Sequence, residues 1–307
     1  LFRSAKAGAA LKGLQLIDSS LITFTLSRYR WATYSKFRGG VKLHLRYIHS
    51  IDESVPDEAI MTTGNCSDKT KLEELVSKDP EVLNVFDRGY IDYRLFDQYT
   101  EESVRFVTRL RHNADYKIIE DHPVDPKTGI QRDAVVWLGY RGTRYRMKKR
   151  LRMVECLDNE GNPFRVITND FDMSAQEIAD VYRKRWQIEL FFKWIKQHLH
   201  VKRCYGTSKN AVFNQVYTAL ITYCLIVLTR SNLGTNKLLI EIQQHVVENW
   251  DKSWRDFMTS LFRPPERTSK GRRKSPNVEH EFQLLLQNMQ TEDVSFFYET
   301  NIDPLHE

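Results

Sequence analysis

Residues 180–200 read DVYRKRWQIELFFKWIKQHLH. Two tryptophans and two phenylalanines stand here among seven Lys, Arg and His residues. A core helix should not carry so much charge, and a solvent helix should not carry so many aromatics. At about 100° per residue, Tyr182, Arg185, Glu189 and Lys196 fall within a stripe of about 60° that runs some 20 Å along one face. Trp186, Leu190, Phe191, Trp194 and Ile195 take the other faces. The spacing therefore predicts a largely buried helix with one polar line. Upstream, SAQE (174–177) has Ser174 at an N-cap and Glu177 three residues on, a capping box. One long helix is predicted from there to about residue 198. An internal ladder of salt bridges would by itself explain the polar line.

Outward from this helix the pattern is α/β. LQLIDSSLITFTL (14–26) is apolar and β-branched, interrupted by Asp18. VKLHLRYI (41–48) alternates, and EAIMTT (58–63) reads as a third strand. DKTKLEELVSK (68–78) is helical, with Pro80 beyond it. EVLNVFD (81–87) is a strand ending in Asp87, followed by a short helix at 93–99 and a strand at 104–111. The first three strands are expected as an antiparallel meander. Short alternating segments separated by DPKTG and DNEGN mark residues 115–168 as an antiparallel β insertion. Helical patterns return at 211–229, 236–250 and 253–262, before a basic segment with Pro264, Pro265 and Pro276, read as a mobile loop. The organisation expected is a core, first part, at 1–114; the insertion at 115–168; a core, second part, at 169–230; and a helical C-terminal region at 231–307.

The 307 residues carry a net charge of +6. That permits a polyanionic partner without requiring one. Two runs say more: YRGTRYRMKKRLRM (140–153) has seven basic residues and no acid, and RPPERTSKGRRK (263–274) has six and one. With the 180–200 helix they favour nucleic acid over a plain solvated surface. Cys66, Cys156, Cys204 and Cys224 lack metal-binding or paired spacing, and free thiols in a reducing cytoplasm are expected. The longest apolar run, 216–229, falls short of the roughly 20 residues a membrane span needs, so a buried core helix and no membrane association are expected. The first residue is Leu1, which suggests that an N-terminal part is missing.

Asp18 and Asp87 each serve as well for a turn or a cap. If the first and fourth strands are neighbours, however, both can face one crevice, and the helix can bring Glu189 there. Three carboxylates without His or Cys ligands suit a hard ion such as Mg²⁺ or Mn²⁺, and two such ions clamp the oxygens of a phosphoryl transfer. Arg185, Lys196 and Tyr182 would then hold DNA phosphates.

YRKRWQIELFFKWIK resembles the Tyr-(2)-Arg-(3)-Glu-(6)-Lys signature of the IS-four (insertion-sequence-four) family of DDE transposases, on Tyr182, Arg185, Glu189 and Lys196. IDSS at Asp18 and FDRGY at Asp87 resemble that family's two acidic motifs, and GGVKLHL (39–45) its second strand. The likeness spans about residues 10–230. It implies an RNase H-like core with a β insertion between Asp87 and Glu189. It implies catalysis and binding of two Mg²⁺ or Mn²⁺ ions by Asp18, Asp87 and Glu189. It also implies cut-and-paste transposition of a bacterial insertion sequence on double-stranded DNA, through a hairpin, by a synaptic homodimer in the nucleoid-containing cytoplasm. Stacking on a base that leaves the helix would fall to Trp186 or Trp137, for each of which core packing is the competing role. A nuclease without strand transfer and an inactive DNA-binding relic are the alternatives.

Overall fold

A computed structural model describes residues 13–50, 54–125, 128–139, 145–157, 161–199 and 201–263. The basic segment from 264 onward, and Arg141 and Arg144 of the other basic run, lie outside these residues.

Strands β1 (Gly13–Thr25), β2 (Arg38–His49) and β3 (Val55–Thr63) form an antiparallel meander. Strand β4 (Val82–Phe86) pairs parallel to β1 on its other side, and β5 (Arg105–Arg109) pairs parallel to β4. Every residue of β4 is buried, as expected of a central parallel strand covered on both faces. Strands β6 (Tyr116–His122), β7 (Ile130–Leu138), β8 (Leu151–Leu157) and β9 (Pro163–Thr168) are antiparallel to one another. They do not stand apart from the rest: β9 pairs with β5, giving one nine-stranded sheet of order β3-β2-β1-β4-β5-β9-β8-β7-β6.

The period of two along β1 sorts its side chains between two cores. Leu14 and Leu16 pack with Ile178, Ile188 and Phe191, from α3 (Ala175–Lys184) and α4 (Trp186–His198). Ile17 faces the opposite way, onto Leu72 and Leu75 of α1 (Leu72–Leu75) and Phe96 of α2 (Tyr93–Glu101). Asp18 comes next, on the same side of the strand as Leu16. Helix α5 (Lys209–Leu233) packs on the first core, followed by α6 (Leu239–Glu248) and α7 (Trp254–Phe262).

Three expectations need correction. The helix expected at 68–78 is a 3-10 turn, Asp68–Lys71, followed by the single turn α1. Pro80 cannot continue a helix, and the Asn84 side chain takes the Ser77 N–H at 2.9 Å, which turns the chain into β4. The long helix from Ser174 is two helices. Arg185 (φ −49°, ψ −30°) donates its N–H to Tyr182 O at 3.1 Å, and Ile188 N donates to Arg185 O at 3.2 Å. These are i→i−3 bonds, which wind the helix tighter at that point. The capping box at its start is formed, with Ser174 and Glu177 in both reciprocal bonds. Finally, α5 is buried along one side only. Val212, Val216, Ala219, Leu220, Tyr223, Ile226 and Val227 are covered, while Ile221, Leu225 and Leu228 are more than half exposed. By length and hydropathy α5 is also the one described helix that reaches what a membrane crossing requires. Helical periodicity gives an all-apolar run two sides, and the sheet reaches one of them.

Candidate active site

Asp18 follows the last paired position of β1 with β4, where Ile17 sits opposite Phe86. Continuing that register puts Asp18, midway along β1, beside Asp87, just past the end of β4, on neighbouring parallel strands about 4.8 Å apart. Asp87 leaves the strand as the cap of a 3-10 turn, Arg88–Tyr90, and its Oδ2 accepts the Gly89 N–H at 3.4 Å. Helix α4 packs across β1. Arg185, at the tightened turn before it, donates from one nitrogen, Nη1, to Asp18 Oδ2 at 3.1 Å and to Glu189 Oε1 at 2.6 Å. One guanidinium atom therefore joins a carboxylate from the sheet to one from the helix.

The charges do not balance. Burial raises the Asp18 carboxyl to about 8, and Glu189 and Asp87 add to that rise, which Arg185 opposes without overcoming. Burial also raises Glu189, again against Arg185. Burial works against the charge on the Arg185 guanidinium, but Tyr182 and the three carboxylates together outweigh it and hold the group well above its ordinary range. Tyr182 is buried, with Arg185 5.7 Å from its ring centre, and burial pushes its hydroxyl up to about 12. Burial and the charge of Lys202 depress Lys196 to about 8, while Asp18 pulls it upward. The site is short of positive charge.

Of the residues singled out from the sequence, the structure gathers Asp18, Asp87, Tyr182, Arg185 and Glu189, with Lys196 near Asp18. Trp186 lies next to the group: the Arg185 guanidinium is 5.9 Å from its ring, and its indole N–H is buried with no hydrogen-bond partner among the described residues. Trp137 is not brought there. It lies on β7, five strands from β1 and so about 24 Å away, with Arg146 4.6 Å over its ring.

Sequence reasoning missed Asp68. Its Oδ1 accepts from Ser19 Oγ at 2.6 Å and lies 3.1 Å from Lys42 Nζ and 3.6 Å from the buried His44 ring. A Cβ placed on Gly89 would lie 3.8 Å from an oxygen of both Asp68 and Asp87, so this fourth carboxylate borders the same turn. Burial lowers His44 to about 4, which leaves its imidazole neutral beside the Lys42–Asp68 pair. Nothing in CSDKTK marks this role, because the partners lie far away in sequence.

Among the described residues no three carboxylate, imidazole or thiol groups are close enough to surround one ion, and Arg185 fills the space between Asp18 and Glu189. The donor set still fits a hard divalent cation: the ligands are all oxygen, with positive charge in deficit.

A family model described as "Transposase DDE domain" matches residues 10–225. "Probable transposase for insertion sequence element IS5377" of Geobacillus stearothermophilus is 37% identical over 217 residues, covering 70% of this chain and 56% of that protein. A transposase-named protein of Sinorhizobium fredii, y4zB, is 30% identical over 217 residues, covering 69% and 60%. The chain thus spans little more than half the length of these curated relatives. A solved piggyBac transposase synaptic complex with hairpin DNA aligns at a TM-score of 0.46 and 10% identity, over 90% of this chain and 62% of that one, a likeness too remote to argue from.

Proposed function

The chain belongs to the transposase DDE-domain family, and from that premise we propose that it is the catalytic part of an insertion-sequence transposase of the IS-four type, with an RNase H-like core. The observation that carries this reading is Arg185 bridging Asp18 and Glu189 beside Asp87. Such a cluster, buried and short of positive charge, is a poor device for stability. It is a suitable one for drawing in a cation and a phosphodiester. The sheet order supports the reading too, since a β3-β2-β1 meander continues into parallel β4 and β5.

In this proposal Asp18, Asp87 and Glu189 would hold two Mg²⁺ or Mn²⁺ ions, which supply Lewis acidity and an activated oxygen nucleophile when bound. Arg185 exchanges its carboxylate partners for a phosphate, also an anion, and its fork suits phosphate oxygens. Lys196 supplies a point charge, and Tyr182, whose ring centre lies 5.7 Å from the guanidinium, packs beside Arg185. Trp186, adjoining Arg185, is placed to stack a displaced base. Water first cleaves at the element's end. The freed 3′-OH then attacks the opposite strand to give a hairpin and, after opening, attacks the target. The assembly is a homodimer on double-stranded DNA in the cytoplasm.

The test uses DNA with pre-cleaved and uncleaved element ends in Mg²⁺. Glu189→Gln should retain DNA binding and lose both nicking and joining by about 10²–10³-fold, the scale of losing a principal electrostatic group at a reacting centre. A Glu189→Gln protein that nicks at the wild-type rate would sink the proposal. Nicking without joining by the wild type would favour the plain nuclease.

A further inference from the structure

Two connections far from each other in sequence meet on one surface. Residues 19–51 contain six Lys and Arg and no Asp or Glu; residues 190–240 contain seven and none. The β1–β2 connection and the α4–α5 connection are fastened together. Trp31 Nε1 donates to the Thr207 carbonyl at 2.7 Å, and its ring meets Phe213 edge-on at 6.0 Å. Arg28 is near enough to oppose the burial-driven rise of the Cys204 thiol.

The joined surface presents Arg28, Lys36 and Arg38 from one side and Lys202 and Arg203 from the other, all exposed. None of the five has an acidic partner among the described residues. Two aromatic side chains stand in solvent among them: Phe37 is 79% exposed and Tyr205 92% exposed. Lys36 Nζ lies 5.4 Å from the Phe37 ring centre. Cations gathered without counter-charges repel one another, and exposed rings contribute nothing to a core. Both features have a use if a polyanion with stackable faces covers them.

We propose that this surface is a DNA track, in which the five cations bind backbone phosphates and Phe37 and Tyr205 stack on an unpaired base. The proposal rests on the transposase reading and adds a binding site outside its carboxylate cluster. Seven residue steps along β1 lead from Asp18 to Thr25, about 24 Å of strand, or the rise of roughly seven base pairs. Lys196, within reach of both Lys202 and Asp18, carries the positive potential from the track to the carboxylates. The track therefore engages DNA roughly seven base pairs from the reacting phosphate.

The experiment is fluorescence anisotropy of the full chain with a labelled duplex, blunt or bearing a short single-stranded overhang, across a range of salt. The triple variant Lys36→Gln, Arg38→Gln, Arg203→Gln should weaken binding to both DNAs. It should also make the slope of log affinity against log salt shallower by about 2–3, near 0.9 for each phosphate that the variant no longer neutralises. Phe37→Ala and Tyr205→Ala should each weaken binding of the overhang DNA about tenfold and leave the blunt duplex unchanged. All these side chains are exposed, and an unchanged thermal melt shows that each variant is folded. A triple variant with wild-type affinity and slope, from a wild type that does bind DNA, overturns the track and leaves the transposase reading standing. Alanine variants that bind the overhang DNA like the wild type overturn the stacking role. A wild type that binds no DNA even at low salt defeats the transposase reading itself.

Discussion

At the scale of single residues, Asp18 carries the most consequential imbalance. Its carboxyl is raised to about 8, so between its unfolded value near 3.8 and that point the folded chain holds a proton the unfolded chain releases. The stabilising contribution is complete below about pH 4 and is lost as pH rises through 8. In metal-free buffer, Asp18→Asn should therefore flatten the fall in stability between those limits, and raise the melting temperature at pH 8 by several degrees relative to wild type. Thermal melts of both proteins at several pH values check this; parallel curves would show that Arg185 already neutralises Asp18. Adding Mg²⁺ should stabilise the wild type at pH 8 and leave Asp18→Asn nearly unaffected, since a cation that binds only the folded state shifts its equilibrium.

At the scale of elements, the turn at Arg185 matters more than helix length. A straight helix would run on past that residue with i→i−4 bonds. The i→i−3 bonds there instead accompany a guanidinium that reaches β1 and α4 together. What holds the entry to this helix pair is its capping box, in which Ser174 Oγ accepts from Glu177 N at 3.2 Å and Glu177 Oε2 from Ser174 N at 2.8 Å. Ser174→Ala should cost about 1 kcal/mol. Urea denaturation would show it as a lower midpoint with an unchanged slope. No change in midpoint would mean that packing of Ile178 and Val181 holds the helix start without the cap.

At the scale of the whole molecule, one short seam decides whether the sheet behaves as a unit. Among the described residues three registered pairs, Val107 with Thr168, Thr108 with Ile167 and Arg109 with Val166, join the β5 side to the β9 side, and Leu110 N donates to Arg165 O at 2.8 Å just beyond them. Side chains reinforce it. Asn169 accepts from Phe106 N at 3.0 Å and donates to Val104 O at 2.8 Å, and Thr168 Oγ1 donates to Phe106 O at 2.6 Å. Arg105 adds an ion pair with the buried Asp170. Asn169→Ala removes two partly buried hydrogen bonds and should destabilise the chain by about 2 kcal/mol. If the sheet is one cooperative unit, hydrogen exchange in β1 and in β8 should accelerate by the same factor. Acceleration confined to β6–β9 would show that the two parts open separately.

Features that depend on near neighbours along the chain were legible in the residues themselves. The capping box needs Ser174 and Glu177 three apart, strand β1 needs its β-branched run, and Asp18 and Asp87 stand out because each breaks or ends such a run. That Arg185 and Glu189 share a helix face follows from the helical repeat, and their contact agrees with it. The rest depended on tertiary structure. Asp68 joins the carboxylate neighbourhood through Ser19, 49 positions away. The β6–β9 strands enter the main sheet through the β5–β9 seam, which alternation cannot show because a strand's pattern is the same whichever partner it finds. Which side of α5 would be covered was equally open, since an all-apolar helix looks alike all round until a sheet is laid against it. The cationic surface needed Trp31 and Thr207, 176 residues apart, to be brought together. A sequence reports local periodicity and chemistry; which surfaces meet is set by burial and hydrogen bonding across the whole fold.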